Sequence, residues 1–85
     1  MKFISIGYGN SIAVDRIVAL VSPESAPVKR LIQDAKEQSR VIDVSCGRKT
    51  RSVIVTDSEH VILSALTTEK IALRLEGEAA DDDDE

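Results

Sequence analysis

One cysteine, no tryptophan, and a single phenylalanine and tyrosine remove several classes of protein at once. A lone cysteine excludes an internal disulfide and any cysteine-based zinc site. With so few rings the core has to be built mainly from Ile, Val, Leu and Ala. Recognition of single strands or RNA would have only Phe3 and Tyr8 to stack on bases, too few for a platform. No apolar run approaches the ~20 residues that span a bilayer; the longest, "IVALV", covers 17–21. The start, "MKFISIGYGN", has one base and a brief apolar run before its glycines, unlike a signal peptide. A soluble cytoplasmic protein is the expected setting.

What is present is small and oddly charged. At 85 residues the chain supports one domain and buries only about 60–65% of the surface it exposes when unfolded. Association with copies of itself is a natural remedy for so small an aliphatic core. The formal charge of −4 is misleading until it is divided. "EGEAADDDDE", from Glu76 onward, holds seven acids and no base. The rest is therefore a basic domain of about +3. A single-sign run of low hydrophobicity cannot bury enough surface to order itself, so residues 76–85 are expected to be a disordered acidic tail on a domain spanning 1–75.

Along that domain, Lys2–Ile6 alternates as a short strand does, and "GYGN" supplies a turn tolerant of positive φ. Ser11–Val21 reads as a second, longer strand, apolar on both faces apart from Asp15 and Arg16 and so expected to be buried on two sides, by a helix and a neighbouring subunit. "SPESAP" starts a helix: Ser25 can cap it, Pro27 sits in the first turn where its missing N–H is harmless, and Glu24 suits the dipole. Val28, Leu31, Ile32 and Ala35 then mark one helical face. Val41–Ser45, Ser52–Thr56 and Val61–Leu66 read as three more strands. Thr67 or Thr68 can cap a last helix through Leu75. The order is ββαβββα, a mixed α+β domain with little room for an internal small-molecule pocket.

Signals of enzymatic chemistry are weak. "GYGNSI" begins like a dinucleotide loop, but the position of its third glycine is Ile12 and a strand follows where a helix is required. Cys46 and His60 are one of each, with no third group to orient them; a partly buried thiol and a surface histidine are expected. Asp15, Asp43 and Asp57 have no companions at metal-ligand spacing. No catalytic residue, metal or cofactor is expected.

The cations say more. "GRKTR" places Arg48, Lys49 and Arg51 on a glycine-led turn, with Thr50 able to donate one further hydrogen bond to a phosphate oxygen. The plainer reading is a solvated loop. Arg16, flanked by Val14 and Val18 in the expected strand, needs a partner, an edge or a wet interface. One reading pairs it with Asp15, Asp43 or Asp57; the other sets it beside "GRKTR" on one cationic face.

"FISIGYGN", "IVALVSPESAPVKRLI", "VIDVS" and "GRKTRSVIVTDSEHVILSAL" together resemble the RemA family of bacterial extracellular-matrix regulatory proteins, over roughly residues 2–75. The resemblance implies a DNA-binding transcriptional regulator of LytTR-like fold type. It also implies assembly into rings whose basic rim holds double-stranded DNA, activation of genes for biofilm matrix or osmoprotection, and a nucleoid-associated cytoplasmic location. Carried over by position, Arg16, Arg48, Lys49 and Arg51 would face DNA, and Pro27 would support the assembly. Lys49 stands where the family pattern is expected to carry Arg; it keeps the charge and loses the fork.

On this reading each subunit contributes a few cations and ring symmetry multiplies them. So short a loop offers little base-edge readout, and specificity is expected to rest on bendable or A·T-rich DNA. The rival is an oligomeric interaction module whose basic turn docks an acidic protein. The tail either maintains solubility or competes with DNA for the basic face.

Overall fold

A computed structural model describes residues 2–77. Its elements are β1 (Phe3–Gly7), β2 (Asn10–Ala13), a 3-10 turn (Val14–Arg16), β3 (Ile17–Val21), α1 (Ala26–Glu37), β4 (Val41–Asp43), β5 (Ser52–Thr56), β6 (Val61–Ser64) and α2 (Thr68–Leu75). β1 and β2 form an antiparallel hairpin, and the other strands form a sheet in the order β3-β5-β6-β4. Within that sheet β4 runs parallel to β6, and the other pairs are antiparallel.

Period-2 alternation gives the sheet two apolar faces. Val53, Val61 and Leu63 meet Ala35, Val28 and Ile32 of α1. On the opposite face Ile54 and Ile62 meet Ile4, Ile6 and Ile12 of the hairpin together with Leu66 and Ile71. The domain is thus three layers: α1, the sheet, and the hairpin with α2. Ser64 ties the last two layers together, since its Oγ donates to the carbonyl of Ile6 at 2.9 Å and accepts from the Leu66 N–H at 3.1 Å. Arg74, buried on α2, donates from Nη1 to the carbonyl of Ser5 at 3.0 Å.

Both helix starts form as their sequences predict. The Ser25 hydroxyl accepts the Val28 N–H, Pro27 occupies the first turn, and the Thr67 hydroxyl accepts the Lys70 N–H. The expected single strand over 11–21 does not form. The Val14 N–H donates to the carbonyl of Lys2 at 2.8 Å and completes the hairpin ladder. The chain then turns through Val14–Arg16, and β3 begins a different pairing with Ile17 opposite Thr56. Asp15 and Arg16 form an exposed corner between two sheets, which spares the sheet two charges that it could not bury cheaply. The order is therefore βββαβββα. Of the two covers expected for this run, a helix and a neighbouring subunit, this chain by itself leaves Val18 of the edge strand β3 65% exposed.

Two other strands stop earlier than expected. β4 ends at Asp43, whose carboxylate accepts the N–H and hydroxyl of Ser45 at 2.9 and 2.6 Å in an Asx-type turn. β6 ends at Ser64, whose hydroxyl is committed to Ile6 and Leu66. Glu76 and Gly77 close α2 through N–H bonds to the carbonyls of Ala72 and Arg74; the rest of the expected acidic tail lies outside the described residues.

Candidate nucleic-acid interface

The connection from β4 to β5 is fastened at both ends before its cations project. The bonds from Ser45 hold the Asp43 carboxyl below its ordinary range; slight burial opposes them, and Lys36 adds a small lowering. Ser45 itself is buried. Cys46 and Gly47 follow with φ of 55° and 79°, consecutive left-handed residues that reverse the chain where glycine is best tolerated. Cys46 is exposed, which corrects the expected partly buried thiol; Ser45 fills the interior position beside it.

The Arg48 N–H donates to the carbonyl of Ser45 at 3.0 Å, and the Arg51 N–H to the carbonyl of Ser64 at 2.8 Å. The second bond extends the β5–β6 ladder, so the last cation sits on the root of a core strand. Between these anchors Arg48 and Lys49 are exposed, Thr50 is half-buried and Arg51 is exposed. Among the described residues none of these three cations has an ion-pair partner, whereas Arg16 pairs with Asp57 and Arg40 with Glu59.

Lys49, Thr50 and Arg51 form one wall of an open cleft of about 200 Å³. Ser22 and Glu24, between β3 and α1, form a second wall, and Thr67, Thr68 and Glu69 at the start of α2 form the third. The Thr67 hydroxyl and the N–H groups of Thr68 and Glu69 can donate there, whereas the Thr68 hydroxyl is directed to the Glu69 carboxylate at 3.4 Å and Glu24 and Glu69 temper the positive field. The threonines are legible in the sequence as caps, and nothing local shows that their helix start abuts the basic turn.

Arg16 is elsewhere. It pairs with Asp57 through Nη1, at 3.2 and 3.4 Å from the two carboxylate oxygens, and the Asp57 N–H donates to the Arg16 carbonyl at 3.0 Å. Asp57 follows β5 and Arg51 precedes it, so the two sites are separated by the length of that strand, about 20 Å at 3.3 Å per residue. Within one chain the structure does not place Arg16 beside "GRKTR". Of the three aspartates offered as partners, Asp57 is the one that pairs. Pro27 is exposed on the first turn of α1, at the basic-turn end of the sheet, since Val21 pairs with Val53. His60 is half-buried in the β5–β6 turn, with Nδ1 2.8 Å from Ser58 Oγ. No group of three or more potential metal ligands occurs among the described residues, and no helix there is long and apolar enough to cross a membrane.

Residues 3–75 match the family model described as RemA-like, extracellular matrix regulatory protein A-like. A protein of Geobacillus thermodenitrificans is 57% identical over 77 residues, 91% of this chain and 88% of the relative. One from Acetivibrio thermocellus is 54% identical over 82 residues, covering 96% and 88%. One from Clostridium botulinum is 53% identical over 83 residues, covering 98% and 91%. All three carry names that describe regulatory proteins.

Proposed function

The chain belongs to the RemA-like family of regulatory proteins, and on that footing we propose that it is a DNA-binding transcriptional regulator acting as a ring-shaped homo-oligomer. The observation that carries this reading is the anchored turn with three exposed cations and no ion-pair partner among the described residues. Most surface cations are solvated or paired for solubility. Three that stay unpaired on a turn whose backbone is pinned to a core strand keep their charge available to an external polyanion.

Arg48 and Arg51 supply forks for phosphate oxygens, Lys49 a point charge, and Thr50 a neutral donor. Three phosphate contacts per subunit bind weakly alone. A closed ring repeats them along a rim, so duplex DNA following that rim neutralises many phosphates together. Pro27, at the start of α1, would support subunit packing. Loops of this kind read shape before sequence, so bendable and A·T-rich duplexes are the favoured targets. The family's implied role then follows: a LytTR-type regulator at the nucleoid, activating genes for biofilm matrix or osmoprotection.

With Arg16 as a further contact, DNA would meet each subunit at two points, at opposite ends of β5. Filter binding of A·T-rich and G·C-rich duplexes, beside a pull-down with acidic proteins, tests the reading. Salt-sensitive duplex retention with an A·T preference is expected; retention of acidic proteins without duplex would favour a docking module.

A further inference from the structure

We propose that Asp57 is a positioning residue for Arg16, holding its guanidinium by one nitrogen so that the remaining edge is presented to a DNA phosphate. This rests on the reading of Arg16 as a DNA contact and adds a residue to that site. An arginine carries five N–H donors. Here Nη1 alone is engaged, on both Asp57 oxygens, and among the described residues Nε and Nη2 have no protein acceptor. That edge is the pair of parallel donors that grips phosphate bidentately. The Arg16 side chain is 63% exposed, so the edge is open to a ligand.

Asp57 is well placed to aim it because its own backbone is fixed. Its N–H is bonded to the Arg16 carbonyl, so one residue clamps the other by main chain and side chain together. The turn that carries Asp57 is stitched across. The Thr56 and Glu59 N–H groups donate to the carbonyls of His60 and Thr56, each at 3.1 Å. The Thr56 hydroxyl accepts the His60 N–H at 3.1 Å and lies 3.0 Å from Ser58 Oγ. The 3-10 corner holding Arg16 is short, and a free arginine there would have its full rotamer freedom to lose on binding. A carboxylate that restrains it beforehand lowers that loss, although its charge repels the approaching phosphate.

Orientation and charge separate in two substitutions. Asp57→Asn keeps the acceptor oxygen and removes the charge; Asp57→Ala removes both. Duplex binding by the full chain, read by fluorescence anisotropy, should be about threefold weaker for D57A than for D57N, the scale of an exposed pair. That ratio should fall to one in an Arg16→Ala background. Equal affinities of D57A and D57N would overturn positioning and leave only charge competition.

A second readout is independent of DNA. The NMR order of the Arg16 Nε–H should drop in D57A and be retained in D57N, and no change in D57A overturns the proposal by itself. If neither the native chain nor these variants bind duplex, the DNA reading fails, and this role fails with it.

Discussion

Removing Arg48 tests the electrostatic account most directly. Its side chain is exposed and without an ion pair among the described residues, and its backbone N–H, not its side chain, closes the turn on Ser45. Arg48→Ala should therefore leave the fold intact and delete one cation. If Arg48, Lys49 and Arg51 each neutralise one phosphate, the turn's share of the logarithmic salt slope is about −2.7 per engaged subunit, and about −1.8 in the variant. Raising salt fourfold then weakens the turn's share of binding about 40-fold per engaged subunit in the native protein and about 12-fold in the variant. Affinity at low salt falls accordingly, and the two affinities converge as salt rises. Mobility shift or anisotropy across a salt series reads all of this. Arg40→Ala is the control, because that residue lies at the opposite end of the sheet from the turn, its carbonyl bonded to the Val61 N–H at the start of β6. A slope unchanged by Arg48→Ala, or lowered equally by Arg40→Ala, would refute the assignment of phosphate contacts to the turn.

Native mass spectrometry should find closed oligomers; a monomer at micromolar concentration would remove the multiplication on which the rim depends. Ser64→Ala leaves the Ile6 carbonyl and Leu66 N–H without their partner and should cost about 1–3 kcal/mol, measured as a lower urea midpoint at constant m-value. The Asp43 carboxyl has a lowered pKa in the fold, so its contribution is fully present above the ordinary value of 3.8 and is lost as pH falls through the lowered value. Asp43→Ala should destabilise by about 1 kcal/mol at neutral pH and flatten the acid limb of the stability curve; an acid limb identical to native would exclude Asp43 as a contributor. Deleting residues 78–85 should reduce solubility and leave duplex affinity unchanged at physiological salt. Tightened binding would instead show the acids competing with DNA.

Much of the fold and part of the site are legible in the order of residues. The strand at Ser52–Thr56 alternates cleanly, and the caps at Ser25 and Thr67 are chemistry between residues three apart, so neighbouring residues suffice to specify them. The split between a basic domain and an acidic terminal segment is a matter of counting. So is the basic turn, whose glycine and clustered cations need no partner strand to be recognised. Family membership also follows from sequence alone.

What only the tertiary structure decided are the long-range placements. Residues 11–21 carry a strand-like pattern interrupted by the charged pair Asp15 and Arg16. The corner at Val14–Arg16 exists because the hairpin ladder ends at Lys2 and a new register starts opposite Thr56, contacts that no local window contains. The same registers place Arg16 and Arg51 at opposite ends of β5, give Arg16 to Asp57, and bring the start of α2 against the basic turn. Local periodicity selects elements; strand pairing across tens of residues selects which of their ends meet, and the location of the cations depends on the second.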